Sequence, residues 1–132
     1  MKSKKIPLTY LLITNIIISF YHVLIMLQLI DYKMVWGGKL HSKSEMFQFE
    51  SISLFVNSII LVILLIDFKR NINRKWIKIV YWILAILFTL NTLGNSLSIN
   101  FYEKLIFAPI TFISSISCLM LISHKRKLTN QN

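Results

Sequence analysis

At 132 residues, 55% hydrophobic and only 15% charged, with mean hydropathy +0.63, the chain carries more apolar side chain than one water-soluble core could bury. Its formal charge of +10 does not indicate a nucleic-acid surface, because the basic residues stand just outside apolar runs and not across a face interleaved with aromatics. The single cysteine, Cys118, excludes an internal disulfide and CxxC redox chemistry, and it reads as a small packing residue.

A short basic tail with Lys2, Lys4 and Lys5 precedes a first apolar run over about 6–30. That run is longer than the roughly 7–15 residues of a signal-peptide core, and bulky Gln28-Leu29-Ile30 offers no small-residue cleavage site. An uncleaved transmembrane helix is expected, with Pro7 in its first turn, where a missing N–H is harmless. Asn15, Ser19 and His22 form a polar stripe along it at i, i+4 and i+7.

The 31–46 stretch reads as the longest loop, with Trp36-Gly37-Gly38 as a tight turn whose Trp rests at the headgroups. A second helix is expected over about 47–66, with Glu50, Ser53 and Asn57 on one face. The 67–78 connection is the most basic. A third helix, about 76–95, opens with Trp76 and Trp82 near one interface and ends in Asn91-Thr92-Leu93-Gly94-Asn95, where Asn91 and Asn95 share a face. The fourth, about 101–123, carries Thr111, Ser114, Ser115 and Cys118 as a seam of small residues that allows close helix approach. His124-Lys125-Arg126-Lys127 stops it, and 128–132 reads as a polar tail.

The expected architecture is an all-α, four-transmembrane-helix bundle in one integral membrane domain, 1–132. Eleven Lys and Arg residues flank one side of the four runs and four flank the other, which puts both termini and the 67–78 connection in the cytoplasm. Asp31, Glu45, Glu50 and Glu103 fall on the opposite, outer side, and only Asp67 falls inside. The basic side is then the one that meets anionic headgroups. A bacterial-type plasma membrane is the expected location, and heavy use of Ile, Lys, Asn and Ser points to an AT-rich genome.

On that topology the polar groups converge at one depth. Glu50, Asn91, Asn95, Glu103 and His22 can line an outward-facing pocket. Two carboxylates with amide oxygens suit a small cation or an amine-bearing ligand. The same residues also have structural readings: Glu103 as a helix-end carboxylate, Asn91 and Asn95 as interhelical glue, and His22 as a paired interior histidine. No second His at i+4 makes His22 a metal site, and no cofactor is called for.

HExxH, GxSxG and glycine-rich phosphate loops are missing, and the three glycines are Gly37, Gly38 and Gly94, so catalysis is not expected. The chain resembles small multidrug transporters in size, yet their carboxylate in mid helix 1 is replaced here by Asn15 and His22. Four-helix quinone reductases with paired cysteines and glycine-rich fluoride channels do not fit. In size, charge and span count the chain resembles small basic immunity proteins, which protect a producer from its own membrane-active peptide. Two functions are therefore expected. The first is a non-catalytic interaction or immunity-type membrane protein, with a protein partner or a second copy as its target. The second is a small transporter or ligand-binding protein using the outer polar cluster.

Overall fold

A computed structural model describes residues 2–129, with side chains from 5 to 126. Four long helices account for most of it: α1 Lys2–Met26, α2 Lys43–Arg70, α3 Lys75–Ser96 and α4 Ala108–Thr129. A π-helical turn, Glu103–Phe107, leads into α4, and two short 3-10 turns, Tyr32–Met34 and Trp36–Gly38, lie between α1 and α2. No strand occurs among the described residues. All four helices are long and apolar enough to cross a membrane.

The ends of the helices differ from the sequence expectation for local reasons. Helix α1 starts at Lys2, so Pro7 falls past the first turn and the helix does without one backbone bond there. It closes earlier than position 30, because Gln28 takes φ 57. The Leu29 and Gln28 amides then donate back to the Leu24 and Ile25 carbonyls, a Schellman closure built without glycine. Helix α2 starts four residues sooner than 47. Ser42 Oγ accepts from the Glu45 amide, and the Glu45 carboxylate accepts from the His41 amide, which satisfies two orphan donors. At its other end α2 runs on to Arg70 and closes on Asn71 in the left-handed region. The polar tail expected from 128 is helical to Thr129, and 130–132 lie outside the described residues.

The core has two parts. Near the chain termini, Leu8, Leu11, Ile60, Leu64, Ile77, Tyr81, Leu84, Cys118 and Leu121 pack together from all four helices. Towards the α1–α2 connection, Ile25, Val35, Leu40 and Met46 form a smaller cluster. We refer to these as the terminal end and the loop end. Outside the core the helices present large apolar residues outward, such as Ile52, Phe55, Ile59 and Val62 on α2. Such continuous apolar surface is stable only against hydrocarbon or another protein.

Helix α4 packs along α3 and α1, while α1 packs on α2; α2 and α3 hardly meet backbone to backbone. The α3–α4 contact is the seam of small residues. Thr111, Ser114, Ser115 and Cys118 are all buried. Thr89 pairs with Ser115 at 2.9 Å, Ser115 Oγ donates to the Ala85 carbonyl at 3.1 Å, and Thr92 donates to Thr111 at 3.0 Å. Ser115→Leu would thrust a branched side chain against the Ala85 backbone and remove the hydroxyl that pairs with Thr89, which keeps its bond to the Ala85 carbonyl. We expect it to lower stability in detergent by about 1–3 kcal/mol. An unchanged melting temperature would mean that this face looks outward.

At the terminal end an ion pair is buried. Asp67 and Lys125 are 0% and 1% exposed, and Lys125 Nζ donates to Asp67 Oδ1 at 2.9 Å. The Tyr81 hydroxyl donates to Oδ2 at 2.6 Å, the Ile72 amide donates to Oδ1 at 2.9 Å, and Lys125 also donates to the Ile72 carbonyl. This knot ties α2, α3, α4 and the α2–α3 connection together. Lys125 therefore does not act as a headgroup-facing stop, as its basic neighbours suggest.

Candidate functional site

All five residues singled out from the sequence, His22, Glu50, Asn91, Asn95 and Glu103, line one cavity of about 300 Å³ in the loop-end half of the molecule. Each helix contributes. Helix α1 presents His22 and Tyr21 one turn before its closure, and α2 presents Glu50, Ser53 and Asn57 from the face predicted by their spacing. Helix α3 contributes Asn91 and Asn95, and the segment entering α4 contributes Glu103, Phe107 and Thr111.

The π turn is what brings Glu103 round. Pro109 has no N–H to offer the Leu105 carbonyl, and the ladder relaxes ahead of it, with Ala108 N–H bonded to the Glu103 carbonyl five residues back. The extra residue in that turn rotates Glu103 toward the face that carries Phe107 and Thr111. Glu103 thus has more than a helix-end role, and it is only 7% exposed.

Glu50 is fully buried and both its oxygens are engaged. His22 Nδ1–H donates to Oε2 at 2.5 Å, which fixes that tautomer, and Trp36 Nε1–H donates to Oε1 at 2.7 Å. Glu103 Oε2 accepts the Gly37 amide at 2.9 Å. Its other oxygen has no donor among the described residues. The Trp36-Gly37-Gly38 turn is therefore not a loop tip resting on headgroups. It folds down as a strap over the loop end and holds one carboxylate with Trp36 and the other with Gly37.

The strap adopts its shape at a conformational cost. Trp36, Gly37 and Gly38 have φ of 55, 68 and 71, and Asn100 anchors the strap from the far side through the Met34 carbonyl. At Gly37 a Cβ would have room, its nearest neighbour being Ser98 Oγ at 3.7 Å, so only the backbone conformation resists substitution. Gly37→Ala is expected to cost about 1–2 kcal/mol through its left-handed conformation. Gly94→Ala, in helical backbone with nothing within 4 Å, should be neutral or stabilising. Thermal unfolding of the two variants side by side checks the contrast, and equal effects would contradict the strap geometry.

Asn91 and Asn95 are not interhelical glue. Neither side chain has a hydrogen-bond partner among the described residues, and Asn91 is exposed at the cavity edge. The buried amide pair lies elsewhere: Asn15 Nδ2 donates to Asn57 Oδ1 at 3.0 Å, at the inner end of the cavity. Asn15 Oδ1 is buried with no partner. That pairing follows from two polar stripes recognised in the sequence, whereas the strap has no sequence signal beyond the turn chemistry of Trp-Gly-Gly.

The lining is apolar apart from these groups, and no Lys or Arg among the described residues takes part in it. The unused groups are one Glu103 oxygen and the side-chain amides of Asn91 and Asn95, which accept through their oxygens and donate through their NH2 groups, so the only charge among them is the carboxylate's. Such a set receives a group that is positively charged and rich in N–H donors. Among the described residues no three His, Cys, Asp or Glu side chains gather as a metal site requires. No protein-family model matches the chain, and no curated protein or solved structure shows significant similarity to it.

Proposed function

We propose that this is a multi-pass membrane protein that binds a small cationic or amine-bearing ligand, without catalysis, in the cavity between α2 and α3. The observation that carries this reading is Glu103: buried, paired with a single backbone amide, and beside a cavity lined by no Lys or Arg among the described residues. A carboxylate in such a place lowers its free energy by taking a positively charged partner.

Orientation is part of the proposal. The excess of Lys and Arg beside the terminal end supports cytoplasmic termini in a bacterial-type plasma membrane, with the cavity in the outer half. Lys39 is exposed and Cys118 is buried, so Lys39→Cys provides one reactive thiol. It should react with an impermeant maleimide in intact cells. Labelling only after lysis would reverse the orientation.

A second reading, an interaction or immunity-type protein, is favoured by one observation. Both Glu50 oxygens are satisfied internally, as in a purely structural pair. Thermal unfolding in a neutral detergent separates the two, using butylammonium, butanol and butyrate as matched probes. Ligand binding predicts a saturable rise in melting temperature with butylammonium alone. No rise, or an equal rise with butanol, would leave the interaction reading standing.

A further inference from the structure

The cavity is covered at one end and open at one side. Val35 and Trp36 lie over its loop end, and the bonds from Trp36 to Glu50 and from Gly37 to Glu103 hold them there. At the opposite end Ile60 and Phe88 close it, backed by the Tyr81–Asp67–Lys125 knot. The exposed lining residues within the helices are Ile52 and Val56 on α2 and Asn91 on α3. They flank the one interhelical side along which the backbones hardly meet. The opening therefore faces sideways, at a depth where α2 presents Ile52, Phe55, Val56 and Ile59 outward.

We infer that the ligand is a single-chain amphiphile that enters from the bilayer through the α2–α3 gap. Its ammonium head rests against Glu103 and its hydrocarbon chain lies between Ile52 and Val56 on one side and Leu87 on the other. The inference rests on the cation-binding reading and narrows it. Three features select this class of ligand. Charge complementarity calls for a cation at Glu103, since no described Lys or Arg lines the cavity and no described basic side chain forms an ion pair with it. The ammonium brings several N–H donors, matching the idle oxygens of Glu103, Asn91 and Asn95. On the α2 side the walls beyond the head, Ile52 and Val56, are continuous with that helix's outward apolar surface, so a chain leaving the site lies against apolar residues, with Asn91 the polar residue at the mouth. A compact hydrophilic cation would need a mouth toward water, where the strap lies. The same head chemistry is offered by a free long-chain amine and by a single-chain ethanolamine lysolipid.

The test uses the full chain in phosphatidylcholine nanodiscs with Trp76 and Trp82 replaced by Phe, so that Trp36 reports alone. Bromododecylammonium should quench Trp36 saturably, at a concentration at least about tenfold below that of butylammonium in a competition format, since two further buried methylenes suffice for that factor. Bromododecanol at the same membrane fraction should not saturate. Val56→Phe, which fills the gap, should weaken dodecylammonium competition at least about tenfold more than butylammonium binding. Displacement of the probe by added lysophosphatidylethanolamine would assign the head to a lipid; its failure to displace would assign it to a free amine. Equal affinity for butylammonium and dodecylammonium, or a Val56→Phe variant that leaves their ratio unchanged, would overturn entry through the gap while leaving cation binding intact. Saturation by neither ammonium would remove both readings.

Discussion

Lys125→Met is expected to destabilise the protein by about 3–5 kcal/mol, the cost of breaking one side of a buried ion pair. Lys125 is the cationic partner of Asp67 among the described contacts, and it also bonds the Ile72 carbonyl in the turn between α2 and α3. With the ammonium gone, Asp67 keeps the Tyr81 hydroxyl and the Ile72 amide but loses the charged group 2.9 Å from it while remaining at 0% exposure. Asp67→Asn in the same chain should restore much of the loss, because an amide oxygen can still accept from Tyr81 and no charge is buried. Equilibrium unfolding of the two single variants and the double variant gives the coupling directly. A loss below about 1 kcal/mol for Lys125→Met would place Lys125 out among the headgroups, where exposed pairs contribute that little.

Glu50 carries the second large effect. It is the junction of α1, α2 and the strap, with His22 and Trp36 as donors. Glu50→Leu leaves two partly buried N–H groups without acceptors, and about 3 kcal/mol of stability should be lost on that account. Glu50→Gln keeps an amide oxygen for one donor and should lose less, about 1–2 kcal/mol. The strap is the part that should loosen first, and Trp36 fluorescence would shift with it. If both variants lose equally, the acceptor role of Glu50 is misread and shape alone is at stake.

Much of this molecule was legible in its sequence because hydrocarbon imposes such narrow rules. Four apolar runs separated by charge clusters specify four helices, and the spacing of Glu50, Ser53 and Asn57 marked the face that α2 turns inward. The small residues of α4 likewise marked the seam on α3. The helix ends were less legible. Gln28 closes α1 in a conformation that glycine usually takes, so nothing in Gln28-Leu29-Ile30 announces the stop. The start of α2 carried a signal that the expected boundary at about 47 passed over: Ser42 and Glu45 have the spacing of a capping box. Lys125 was hidden by its neighbours, since one lysine among four basic residues gives no sign that it turns inward. The strap was hidden for another reason. Its bonds reach from position 37 to position 103, a separation that local patterning does not encode. The same holds for the Asn91 and Asn95 amides, whose shared face was predicted correctly but whose lack of partners depends on how α2 and α3 diverge.

That cation binding resides in the cavity is tested most directly by titration calorimetry of butylammonium into wild-type protein and into Glu103→Gln. The glutamine can still accept the Gly37 amide, so the strap should stay and the melting temperature should change little. A charge-assisted bond is worth about 1.5–3 kcal/mol, so the affinity should fall by roughly ten- to a hundredfold. The same affinity in both proteins, with the fold intact in each, would contradict a cation held at Glu103.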